Sequence, residues 1–200
     1  SGNFSTATLT NNSITGNTAS MGGGLHLPPW AYDNETTNTA WLYNNLFWDN
    51  FATDNQGADL RIDNDGDDYL PTPVTLLANN FDQTQPGFSI TLPIILDPTN
   101  LNQIDPLFVD ASSRDFHLQP GSPMIDAGYP TTPDLPEFDI AGTPRVLGNA
   151  VDIGAYEFDE NSDHKAILSL TLAGTGNGGV TSSPSGIACG TDCFQAYDID

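Results

Sequence analysis

Residues 9–17 read LTNNSITGN, and residues 42–50 read LYNNLFWDN, the same pattern 33 residues later. Leu9 and Leu42 each stand three residues before Asn12 and Asn45, and the match runs on through Ile14 with Phe47, Asn17 with Asn50 and Ala19 with Ala52. A third copy, LLANNF, is expected to align Leu77 and Asn80 with those leucines and asparagines. A second element recurs in each copy: GGGLHL from Gly22, GADLRI from Gly57 and GFSITL from Gly87, with aliphatics expected at the fourth and sixth positions. Self-similarity at a fixed period of this length is the signature of a repeat architecture, in which each unit buries its apolar face only against its neighbours.

Within each copy, apolar residues alternate with polar ones, as in TATLT, TAWLY and DLRI. Period 2 means strands, and no stretch sustains a 3.6-residue period for ten residues. Short strands broken by Asn or Gly, repeated at constant spacing, predict a parallel β-helix, each strand lying over its counterpart one coil later. Asn suits the corners because it tolerates the left-handed backbone region and its amide bonds locally; stacked amides form hydrogen-bond ladders. The paired asparagines therefore read as scaffold. What varies between copies carries the functional interest: Thr8 and Thr10 become Trp41 and Tyr43, and insertions at Pro28–Thr39 and Asp63–Pro73 leave equivalent positions.

The regular repeat fades after about residue 95. DPLFVD (105–110), DFHLQPGSPMIDAG (115–128) and DIAGTPRVLGNAVDIGAYE (139–157) follow it. These segments resemble the C-terminal part of bacterial right-handed parallel β-helix proteins of the pectate-lyase-like superfamily, in particular those with a choice-of-anchor Q region. After the polar linker 159–165, LTLAGTGNGGVTSSPSGIACGTDC (170–193) resembles a divergent internalin-type B-repeat. The expected organisation is all-β: a right-handed parallel β-helix end with its cap over 1–158, then part of a small β module over 166–200. SGNFS at the start and the abrupt end read as the interior of a longer chain. The resemblance implies a secreted or surface-anchored protein with further domains, without fixing an activity.

The chain carries 26 Asp and Glu against 4 Lys and Arg, a formal charge of −22. Nucleic-acid binding rests on Lys and Arg neutralising phosphates, so this balance argues against it and against anionic membrane surfaces. No apolar run approaches the ~18 residues of a membrane helix. Two cysteines, Cys189 and Cys193, flank a glycine-containing turn; a disulfide is the favoured reading, consistent with periplasm or exterior, and two free thiols the other.

Candidate chemistry clusters in the second copy. Asp63, Asp65, Asp67 and Asp68 surround Gly66 and could supply oxygens to Ca²⁺, although the twelve-residue EF-hand pattern fails; the alternative is a solvated acidic loop. Arg61, outward between Leu60 and Ile62, is the one basic residue placed for the Arg or Lys base that the resemblance to pectate lyases implies; a salt-bridged surface role is the alternative. His26 shares its position, while His117 and Arg145 read as structural, Arg145 pairing with Asp139 or Asp152. Trp41 and Tyr43, with Trp30 and Tyr32 of the first insertion, could stack on sugar rings or pack beneath loops. Three functions follow. The first is a non-catalytic extracellular structural or adhesive segment binding glycan and Ca²⁺. The second is a polysaccharide lyase or glycoside hydrolase, and the third a self-assembling surface-layer or filament subunit.

Overall fold

The structure is a computed structural model describing residues 6–27, 39–62, 74–84, 87–90, 94–160, 165–170, 179–183, 188–189 and 194–198. The chain divides into two compact units, Ser1–Asp159 and Glu160–Asp200.

The first unit is built from parallel sheets, each taking one strand from successive repeats. The first sheet orders Thr6–Thr10, Thr39–Tyr43, Val74–Leu77 and Ile94–Leu96. The second orders Ser13–Thr15, Leu46–Trp48, Asn80–Phe81 and Leu101–Asn102, and the third Leu25–Leu27, Leu60–Ile62 and Phe88–Ile90. Thr18–Ala19 pairs in parallel with Phe51–Ala52. The pairing thus runs into a fourth, partial repeat, beyond the point where the sequence pattern fades. The sole helical turn among the described residues is a 3-10 turn at Ala111–Ser113.

Alternation places one residue of each pair inside. Leu9, Leu42 and Leu76 lie in register along the first sheet, Leu25 with Leu60 along the third, and Ile14 with Phe47 along the second. Leu42, Phe47, Leu60, Ile62, Leu76 and Phe81 form one core, with Phe47 and Phe81 edge-to-face at 6.5 Å. Burying each such side chain contributes about 1.5–3 kcal/mol, which offsets the ordering of the short strands.

Two expected alignments are corrected. Leu42 pairs with Leu76, one residue earlier than Leu77, and Phe88 pairs with Leu60, so Gly87 stands opposite Asp59 and not Gly57. The corner explains the first slip. Asn11, Asn44 and Ala78 all hold positive φ, 53°, 56° and 50°, so Ala78 is the counterpart of the leading asparagines. The rung residues are Asn12, Asn45, Asn79 and Asn100. Asn12 Nδ2 donates to Asn45 Oδ1 at 2.8 Å, Asn45 Nδ2 to Asn79 Oδ1 at 2.9 Å and Asn79 Nδ2 to Asn100 Oδ1 at 3.0 Å. Each of those oxygens also accepts the backbone N–H of the preceding rung. Asn17 and Asn50 begin a second ladder at the next corner.

The segment from Ile104 to Phe158 adds one antiparallel hairpin, Phe108–Asp110 with Asp115–Leu118, and otherwise runs as turns. It covers the outer face of the second sheet. Leu46 there packs with Phe108, Leu118, Met124 and Ile153 into a second core, flanked by Trp48, Phe116 and Phe158. In the second unit, Lys165–Ser169 pairs antiparallel with Phe194–Asp198, and Val180–Thr181 with Ala188–Cys189. Lys165 therefore opens a strand and does not close the linker.

Candidate functional site

Asn11 and Asn44 turn their side chains away from the ladder and bind the covering segment. Asn11 Nδ2 donates to the Asp152 and Gly154 carbonyls. Asn44 donates to the Tyr129 carbonyl at 3.1 Å, and its Oδ1 accepts the Tyr129 N–H at 2.6 Å. A buried acidic cluster lies directly behind this contact. Glu157 Oε1 accepts from the Asp152 amide at 3.0 Å and from Arg145 Nη1 at 3.3 Å. Asp152 accepts the Asp126 and Phe158 amides, and Asp139 those of Ala141, Thr143 and Glu157. Arg145 thus pairs with Glu157, correcting the expected Asp139 or Asp152.

Burial, and then the Asp152 charge, push the Glu157 carboxyl up to about 8. The Arg145 guanidinium opposes this but is shared with the Gly154 and Ala155 carbonyls, so desolvation prevails. Burial also raises Asp152. Raised carboxyls in a cleft would suggest acid–base chemistry. Here they sit inside the second packing layer, accepting backbone N–H groups. Their arrangement holds the covering segment in shape.

Trp41 and Tyr43 point outward from the first sheet on either side of Leu42, in register with Thr8 and Thr10. Their rings are nearly parallel at 5.9 Å, and Tyr129 continues the row at 6.4 Å. Tyr43 is only 5 % exposed, and burial raises its hydroxyl pKa. The middle ring is therefore packed beneath the covering segment, while Tyr129 is 37 % exposed. Trp41 is half-buried, so Trp41 and Tyr129 are the accessible members of the row.

Arg61 is half-buried on the outer face of the third sheet, between its register partners His26 and Ser89. It donates to Gln56 Oε1. Asp59, two residues before it, turns to the second ladder, accepting Asn50 Nδ2 and the Asp82 amide, and burial raises its pKa. His117 bonds Asp115 at 2.6 Å and packs on Tyr156. Asp63, Asp65, Asp67, Asp68, Trp30, Tyr32 and Cys193 lie outside the described residues, as does the side chain of Cys189. The insertions that hold the first six follow the register partners Leu27 and Ile62. Among the described residues, no group of three His, Cys, Asp or Glu side chains is arranged to hold a metal. None of their helices is long and apolar enough to cross a membrane.

The structure also brings together a groove that sequence reasoning missed. It lies between the Ser13–Thr15 and Trp48 side of the second sheet and the Phe108–Phe116 hairpin, is a half-open groove of about 670 Å³, and is lined in part by Trp48, Phe116, Asp49 and Arg114. Its residues come from two repeats and a hairpin some 60 residues beyond, as their numbers show. The readable signal was one of four basic residues standing in a turn.

Comparison of the chain with protein-family models, with curated proteins and with solved structures gives no match.

Proposed function

We propose that this chain is the end of a right-handed parallel β-helix from an extracellular or cell-surface protein, and that its role is non-catalytic: a stiff, covered support that binds glycan. The observation that carries this reading is the use made of the buried carboxylates. Asp139, Asp152 and Glu157 accept backbone amides that close the covering segment over the second sheet, which is the work of a support. Aromatic rings reach the surface at Trp41, Tyr129 and Trp48, where sugar rings can stack. Ca²⁺ held by Asp63, Asp65, Asp67 and Asp68 would stiffen the insertion that carries them.

A carbohydrate-active enzyme is the second reading, favoured by the register pairing of His26 with Arg61 on one outer face. Incubation with a panel of neutral and acidic polysaccharides separates the two. Binding without new reducing ends or unsaturated products is the expected result. Release of such products, abolished in Arg61→Ala, would establish the enzyme instead.

A further inference from the structure

We infer that the groove beside Trp48 takes a saccharide unit carrying a carboxylate or sulfate, with Arg114 as the anion-binding residue; this rests on the glycan-binding reading and names its ligand class.

The chain holds four Lys and Arg residues against 26 carboxylates. Arg145 is buried against Glu157, and Arg61 donates to Gln56. Arg114 instead stands exposed on a groove wall and, among the described residues, has no carboxylate partner. In a chain this acidic, an arginine facing a groove is a rare positive charge, set against the single Asp49 carboxylate of the same lining. Guanidinium binds carboxylate or sulfate oxygens through paired N–H donors, and such charge-assisted bonds are about twice as strong as neutral ones.

Arg114 is held in place by the fold. It closes the Ala111–Ser113 turn in the left-handed conformation, φ 64°, with its N–H bonded to the Ala111 carbonyl. Trp48 and Phe116 are half-buried, fixed against the second core, and supply apolar walls. Asp49 adds acceptors for sugar hydroxyls across the groove. Gly16, exposed on the lining, leaves space: a Cβ there would meet nothing within 4 Å. Aromatic walls, placed polar groups and a volume within the ~300–1,000 Å³ range give a half-open groove room for one sugar unit. The ligand must be a short unit, because the −22 charge repels a long polyanion at low salt.

The test uses the whole chain titrated with methyl glucoside, methyl glucuronide and glucose 6-sulfate, followed through the tryptophan indole N–H resonances, with Trp48 assigned from Trp48→Phe. The expected result is a shift of the Trp48 resonance by an anionic sugar and not by the glucoside. Glucuronide against sulfate decides which anion is preferred. Arg114→Gln, exposed and expected to fold, should weaken binding on the order of fivefold to tenfold, as loss of one charge-assisted pair implies. Gly16→Asn should block the groove without touching either recognition residue, since Asp49, its counterpart one repeat on, already holds φ 55°. Equal binding of the glucoside, or an Arg114→Gln variant that binds unchanged, overturns the anion assignment while leaving glycan binding intact. If no saccharide shifts any indole, both readings fall.

Discussion

The side-chain amide of Asn11 donates to the backbone carbonyl of Asp152 at 2.8 Å, across 141 residues of sequence. Asn44, its counterpart one repeat on, is bound to Tyr129 both as donor and as acceptor. In the first two pairs the leading asparagine therefore fastens the covering segment, while the second builds the ladder. Removing the two kinds should differ in cost. Asn44→Ala loses three hydrogen bonds, those to Tyr129 and the 3.3 Å bond to Asn11, in a buried setting, and should destabilise by about 2–4 kcal/mol. Asn12→Ala loses a ladder rung at an exposed end and should cost about 1 kcal/mol. The midpoints of urea unfolding give both values.

Leu42 faces the interior of the stacked repeats and Leu46 faces outward, yet both are fully buried. Because Leu46 is covered by Phe108, Leu118, Met124 and Ile153, Leu46→Ala should destabilise as severely as Leu42→Ala, about 2–5 kcal/mol each. A Leu46→Ala cost below 1 kcal/mol in the same unfolding measurement would mean that the covering segment contributes no packing.

The first two repeats were legible because Leu9 with Leu42, Asn12 with Asn45 and Asn17 with Asn50 keep one spacing. The third was misread because Leu76 and Leu77 are both aliphatic, and Asn79 and Asn80 both amides. Alternation alone cannot choose between such neighbours, and a slip of one residue exchanges the faces of a strand. The feature that decides the register is Ala78 in the left-handed region, a conformation that an alanine does not advertise. Trp41 and Tyr43 flank the inward Leu42 as expected; the sequence leaves open the choice between stacking on sugars and packing beneath loops, because the burial of Tyr43 depends on Tyr129, 86 residues after it. The groove at Arg114 was hidden for the same reason, since no periodicity joins a hairpin to the sheet it covers.

Gly128 marks a close backbone approach within the covering segment. Its N–H donates to the Val151 carbonyl at 2.7 Å, and a Cβ at Gly128 would lie 2.5 Å from that same oxygen. Backbone on both sides leaves nothing flexible to yield, so Gly128→Ala must separate the two segments or distort one. We expect a loss of about 2–4 kcal/mol, accompanied by binding of a hydrophobic dye as Leu46 and Met124 become exposed. An unchanged melting temperature would show that the segments are not in close contact.

The buried carboxyls set the pH at which the molecule is most stable. Glu157 titrates near 4.5 when unfolded and about 8 when folded, because burial and the Asp152 charge disfavour its ionised form. Between those values the folded chain holds a proton that the unfolded chain releases. The stabilisation is therefore complete below about pH 4.5 and is lost as pH rises through about 8. Asp59 and Asp152, both raised by burial, act in the same direction. Asp126 opposes them: the Ala150 amide and the Asn149 side chain lower its pKa, so its contribution is present above the unfolded value of 3.8 and disappears in stronger acid. Mutual repulsion within a chain of charge −22 also grows with pH as the carboxyls ionise. The melting temperature should accordingly peak on the acid side of neutrality, above the unfolded carboxyl range, and decline toward pH 8. Glu157→Gln keeps an oxygen to accept from the Asp152 amide but carries no titrating proton, so its stability profile should be flatter between pH 5 and about 8. Parallel profiles for the two proteins would mean that Glu157 is ionised in the folded state, held so by the Arg145 guanidinium 3.3 Å away.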